Sequence, residues 1–120
     1  MASLFDVLKN KIVLIPFPFD DLSGSKVRPV MCLTEPIGPH SHVVVAFITS
    51  QTPAALLASD IVIGAGSSDF SLTGLRTTSV LQIHRLATVT EDIMLRELGE
   101  LSPLLQQQVR ERLYELFSEK

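Results

Sequence analysis

Three short apolar runs lie in the first half of this chain, and each is cut off by turn-forming residues before it reaches helical length. KIVLIPFPF stops at the polar stretch DDLSGSKV, VMCLT stops at EPIGPHS, and HVVVAFITS stops at QTPAA. Runs rich in β-branched and aromatic residues, bounded by Gly, Pro, Asp or Ser at intervals of roughly eight to twelve residues, predict a small barrel or sandwich. With 120 residues and 46% hydrophobic content, one domain spanning residues 1–120 has enough apolar material for a core. No internal repeat, low-complexity tract or linker divides it.

In the first run Val13, Ile15, Phe17 and Phe19 share one face, and Ile12, Leu14, Pro16 and Pro18 share the other. Pro16 and Pro18 remove N–H donors from the same edge, which predicts an outer strand at the rim of the barrel. Residues 20–27 read as a polar loop with Gly24 in a positive-φ position, and Asp20 and Asp21 suit turn chemistry better than a metal site. Pro29 biases Arg28 toward extended backbone before the second strand. The nearly continuous apolar run from His42 to Ser50 predicts a central, buried strand. Residues 3–9 read as a short helical or irregular lead-in, TPAALLA as a helical turn or loop, and DIVI as a short strand. GAGSSDFSLTGL reads as a mobile connection. Residues 78–83 and 85–89 make either one bent strand or a tight pair.

The tail predicts two helices, about 91–98 and 103–117. Thr90 would cap the first, Glu91 and Asp92 complement its dipole, and Gly99 stands where a glycine would end it. Ser102 followed by Pro103 starts the second. Leu105, Val109, Leu113 and Leu116 form its apolar stripe, backed by Phe117, with Gln106, Gln107, Arg110 and Glu111 outward. That stripe would pack on the barrel or on a second protomer.

Charge and cysteine content narrow the classes. The net charge of −3 arises entirely in residues 91–120, since residues 1–90 carry six basic and six acidic side chains. The first ninety residues are thus neutral overall, leaving room for a local positive patch at Lys26 and Arg28 but no broad basic footprint. Cys32 is the only cysteine; it reads as a small buried hydrophobe and fits a reducing cytoplasm. No transmembrane span or signal peptide is expected. The chain has no P-loop, GxGxxG, CxxC, HExxH or GxSxG motif. His40 and His42 lack a third metal ligand at convincing spacing and read as surface histidines beside a turn. His84 reads as a solvated strand position rather than a general base.

What remains is Arg28 at the start of one strand and Thr49 at the end of another. The segments KIVLIPFPFDDLSGSKVRPVMCL, VVVAFITSQ, LTGLRTTSVLQIHRLATV and LRELGELSP resemble, in order and spacing, the MazF/PemK family of toxin endoribonucleases. The resemblance spans residues 10–118 and is most specific in its first block. It implies a mainly β fold, a small SH3-like β-barrel with a C-terminal helix as in MazF, PemK and CcdB, usually as a cytoplasmic homodimer. It also implies the toxin of a type II toxin–antitoxin system, whose antitoxin complex binds DNA. The activity would be sequence-specific, ribosome-independent cleavage of single-stranded RNA without metal or other cofactor. The family's catalytic arginine falls on Arg28 and its catalytic threonine on Thr49. RNA contacts fall on Ser25, Lys26, Ser50 and Gln51, and the loop 20–26 would close over RNA and be obstructed by the cognate antitoxin. One departure is Asn10-Lys11, where many relatives have Gly-Asp.

The residue types suit that chemistry. RNA carries its own nucleophile, the 2′-OH, so a protein need only align it with the adjacent phosphate and stabilise the charge of the transition state. A guanidinium offers a planar fork of donors to phosphate oxygens, and a threonine hydroxyl can donate to a phosphate oxygen or hold the 2′-OH. Charge stabilisation is therefore the role expected of Arg28, ahead of proton transfer. Products would be a 2′,3′-cyclic phosphate and a 5′-OH, and DNA would resist. Taken apart from the resemblance, an Arg before Pro is commonly a surface charge, and a Thr ending a strand is ordinary β chemistry. The competing reading is a non-catalytic binding module on the same barrel, a CcdB-like gyrase poison or a degenerate homologue, for which retention of both residues has no use.

Overall fold

The computed structural model describes residues 7–17 and 26–119. Six strands form one antiparallel sheet: β1 (Lys11–Pro16), β2 (Val27–Cys32), β3 (His42–Thr49), β4 (Asp60–Ile63), β5 (Ser79–Thr90) and β6 (Arg96–Glu100). Their order across the sheet is β4-β5-β3-β2-β1-β6. A single α-helix, α1 (Pro103–Phe117), ends the chain. The sheet curls into a half-barrel, the mainly β architecture with a C-terminal helix that the sequence predicts.

Both faces of the sheet are buried at its centre, which is why β1 and β3 are apolar in nearly every position. On the inner face Ile12, Met31, Ala46, Ile48, Leu81 and Ile83 pack with Leu105 and Val109 of α1. On the other face Val13, Ile15, Val30, Cys32, Val43 and Val45 are covered by Leu8 and Met94. The alternation read for β1 is thus real, with Ile12 on one side and Val13 and Ile15 on the other. β3 lies between β2 and β5, as its unbroken hydrophobicity predicts. β5 is one long strand with a bulge: the register passes from Ala46↔Leu86 to Phe47↔Gln82, so residues 83–85 are extra on the β5 side.

Residues 91–98 do not form the predicted helix. Glu91–Ile93 is a single 3-10 turn, after which the chain extends into β6. The Leu95 N–H bonds the Leu14 carbonyl at 2.8 Å, and Lys11–Leu14 then pairs with residues 96–100. Unpaired backbone along β1 outweighs the acidic first turn that favours a helix. β1 is accordingly not an outer strand. The proline argument holds only locally, since β6 pairs as far as Leu14 while Pro16 pairs with β2 alone. The lead-in is not helical at Val7 and Leu8; the Glu35 carboxylate accepts the Leu8 N–H at 2.9 Å. Asn10 has φ 72°, a left-handed conformation that asparagine tolerates in place of glycine, so strand entry survives the departure from Gly-Asp.

The segment predicted as a mobile connection instead contains a 3-10 turn, Phe70–Thr73, that packs against β6. Gly99 is not a helix terminator: a Cβ there would lie 2.1 Å from the Leu72 carbonyl oxygen. A Cβ on Gly74, whose φ is 70°, would likewise lie 2.0 Å from the Leu98 carbonyl oxygen. Ser102 then ties the start of α1 to this turn. Its hydroxyl accepts the Leu105 N–H at 3.2 Å and donates to the Asp69 carboxylate. That bond, with a second from Ser67, holds the Asp69 carboxyl below its ordinary value of 3.8. The resulting stabilisation is present above that value and lost as pH falls below it.

On α1, Leu105 and Val109 are buried and Leu113 is half-buried against the same core, whereas Tyr114, Leu116 and Phe117 are exposed, so the apolar stripe leaves the sheet in its last turn. No helix among the described residues is long and apolar enough to cross a membrane. Gly99→Ala should destabilise the fold by about 2 to 3 kcal/mol, because the added methyl meets backbone that cannot step aside. A urea titration with a lowered midpoint is the expected result; an unchanged midpoint would mean that the two segments have room between them.

Candidate functional site

The strands leave one end of the barrel open. β2 and β3 pair only over Cys32↔Val45, Met31↔Ala46 and Val30↔Phe47. Extending that register by two residues brings Arg28 opposite Thr49, beyond the last ladder pair. Each is held on its far side instead, Arg28 by Ile15 of β1 and Thr49 by Val80 of β5. Pro29, which has no N–H, sits where β2 leaves β3. Arg28 and Thr49 line the same cleft, of about 600 Å³, together with Ser50 and Gln51. The Thr49 hydroxyl accepts the Gln51 N–H at 3.1 Å, which fixes its oxygen and leaves its proton available to donate.

Of the other predicted site residues, Lys26 is exposed and is not among the residues lining the cleft. Its carbonyl accepts the Phe17 N–H at 2.8 Å, joining the two ends of the segment 18–25. Ser25, Gly24 and the Asp20-Asp21 pair lie outside the described residues. Phe17 and Val27, at the ends of β1 and β2, line the cleft, and Phe17 packs edge-on against Phe47 with centroids 5.1 Å apart.

Three cleft residues escaped the sequence reading. Arg76 follows the 3-10 turn, Arg85 lies in the β5 bulge, and Arg96 opens β6. With Arg28 they give four guanidiniums and, among the described residues, no lining carboxylate. The charge sums of the sequence conceal this, because Arg28, Arg76 and Arg85 lie in the neutral first ninety residues and Arg96 in the acidic tail, and they converge only in the folded chain. A cleft so lined suits a polyanion. Arg85 is partly committed already, its guanidinium lying 5.1 Å from the Phe47 ring centroid and donating to Gln82 at 3.3 Å.

His84 is more than a solvated position. Its Nδ1 lies 2.8 Å from the Ser59 hydroxyl and 4.0 Å from the buried Asp60 carboxylate. Both partners face the same ring nitrogen, so the hydroxyl and carboxylate do not flank the imidazole as a catalytic triad requires. His40 and His42 are exposed with ring centroids 5.8 Å apart, and among the described residues no three metal-ligating side chains come together.

Residues 9–117 match the model of the PemK-like, MazF-like toxins of type II toxin–antitoxin systems. The chain belongs to this family. Its fold is similar to that of the Mycobacterium tuberculosis toxin MazF-mt6, with a TM-score of 0.67 and 25% identity over 89% of this chain and 95% of that one. It is also similar to a mycobacterial endoribonuclease solved in complex with its cognate antitoxin. There the TM-score is 0.65 and identity 15%, over 94% of this chain and 98% of the other. No curated protein sequence matches.

Burial pushes the Cys32 thiol of this PemK/MazF-like chain up to about 12, with Glu35 adding to the effect. The thiolate is the reactive form, so Cys32 is not a nucleophile here. Alkylation at neutral pH should leave the native protein unlabelled and modify it only on unfolding. Rapid labelling of folded protein would contradict this placement.

Proposed function

We propose that this chain is the toxin of a type II toxin–antitoxin pair and acts as a metal-independent endoribonuclease on single-stranded RNA, with Arg28 and Thr49 as its catalytic residues. The observation that carries the reading is the shared position of these two residues where β2 and β3 cease to pair with each other, in a cleft lined by arginine. The family supplies the toxin assignment, and structural relatives described as endoribonucleases support the activity.

In this mechanism the 2′-oxygen bonds to phosphorus as the P–O5′ bond breaks. The products are a 2′,3′-cyclic phosphate and a 5′-OH, and the proton lost by the 2′-OH and that gained by O5′ exchange with solvent. Arg28 donates to the non-bridging oxygens, where negative charge accumulates. Thr49, its oxygen fixed by the Gln51 N–H, donates its proton to the phosphate or orients the 2′-OH. Ser50 and Gln51 contact the strand beside the scissile step, with Ser25 and Lys26 contributing from the loop. Sequence preference would come from base-edge contacts along the cleft. The protein works as a cytoplasmic homodimer, inhibited by a cognate antitoxin that occupies the cleft. A related endoribonuclease solved with its antitoxin supports that partner.

The test is incubation of purified protein with mixed-sequence single-stranded RNA and matching DNA, both in EDTA. RNA alone should be cut, and Arg28→Ala and Thr49→Ala should each lower the rate by about two orders of magnitude or more. Intact RNA across many sequences, or undiminished cleavage by both variants, would overturn the reading in favour of a non-catalytic binding module.

A further inference from the structure

Among the described residues, Arg76 and Arg96 stand apart from the other cleft arginines in having no side-chain partner. Arg85 lies over Phe47 and bonds Gln82, and Arg28 has interactions of its own. The side chains of Arg76 and Arg96, both exposed, make no hydrogen bond or ion pair among the described residues. Lys11, also on this sheet, by contrast reaches both Glu97 and Glu100.

Their placement follows from the fold. Arg96 is directly opposite Leu14 of β1, which is opposite Pro29 of β2, so Arg96 is rooted two strand spacings from β2, roughly 10 Å across the sheet. Arg76 follows Gly74, whose backbone lies against Leu98 of β6. Arg96 is therefore rooted on the β6 side of the cleft, and Arg76 in the segment that leads from that contact to Ser79 at the start of β5, so neither arises from the ends of β2 and β3 that hold Arg28 and Thr49. One scissile phosphate does not need charges anchored so widely. A chain of phosphates does.

We propose that Arg76 and Arg96 are phosphate clamps that hold the nucleic-acid backbone beside the scissile step, so that the ligand of this cleft is a single strand crossing from the β2–β3 gap to the β6 edge. The nature of the strand as RNA substrate rests on the ribonuclease reading; the clamps themselves require only a single-stranded polyanion. They are binding residues, not catalytic ones. Clamps of this kind act on phosphates irrespective of base, so their contribution should be independent of sequence and sensitive to salt.

The experiment measures binding of a mixed-sequence 2′-O-methyl RNA oligonucleotide, which cannot supply the nucleophile, across a salt series by fluorescence anisotropy. Wild type is compared with Arg76→Ala, Arg96→Ala, the double variant and the double lysine variant. Each alanine should reduce the slope of log affinity against log salt by about 0.7, and the pair by about 1.4. The double variant should bind roughly ten-fold or more weakly at moderate salt. Lysine, which keeps the charge, should restore most of the slope and so separate charge from any folding defect. With cleavable RNA the loss should fall mainly on KM. An unchanged salt slope in the double alanine variant would overturn the proposal, as would a wild type that binds no single strand, or a loss confined to kcat. A salt slope that falls in the alanine variants, with no cleavage of natural RNA by the wild type, would uphold the clamps while removing the ribonuclease reading.

Discussion

Two stretches of backbone touch where β6 meets the turn after β4, and nothing larger than a hydrogen fits between them. Gly99 on one side and Gly74 on the other make that approach possible. A six-stranded sheet with β4 at one edge and β6 at the other would otherwise expose its inner face along a seam. The 3-10 turn Phe70–Thr73 crosses that seam, with Phe70 and Leu75 packed on the inner core, and Ser102 fastens α1 to it through Asp69. Two positions downstream of Gly74 is Arg76, and three upstream of Gly99 is Arg96. That contact thus also brings to the cleft Arg76 and Arg96, whose side chains have no partner among the described residues.

The opposite rim depends on a ladder that stops early. β2 and β3 pair for three residues and then part, while β1 and β5 continue to hold them from outside. Arg28 and Thr49 stand on either side of this gap. Their backbones are fixed by neighbouring strands, yet the space between them is open to a ligand. Sites on strand ends are positioned more rigidly than sites carried by loops. The gathering of positive charge is local, since the net charge of the chain is −3. Four guanidiniums in one cleft repel one another, and a polyanion relieves that repulsion.

Much of this was legible in the residues. The alternation of Ile12 and Val13, the unbroken apolar run of β3 and the Ser102-Pro103 start of α1 each reflect a local rule that the folded chain obeys. Residues 91–98 were misread because Glu91, Asp92 and Gly99 match helix punctuation, whereas their outcome was set by Leu14 and its neighbours some eighty residues earlier in the chain. Gly99 is constrained by a contact with Leu72, which no periodicity reveals. The site divides the same way. Arg28, Thr49, Ser50 and Gln51 could be placed because they lie within recognisable segments at strand ends. Arg76, Arg85 and Arg96 could not, since what makes them one group is the curl of the sheet and the bulge in β5.

In the proposed mechanism the cleft turns the RNA's own 2′-OH on the neighbouring phosphate, with Arg28 and Thr49 supplying charge and orientation. The most direct measurement is the mass of the upstream cleavage fragment. A 2′,3′-cyclic phosphate terminus, paired with a 5′-OH on the downstream fragment, is the expected result. A 3′-OH with a 5′-phosphate would contradict it, because those ends require water as the nucleophile and a different arrangement of the site.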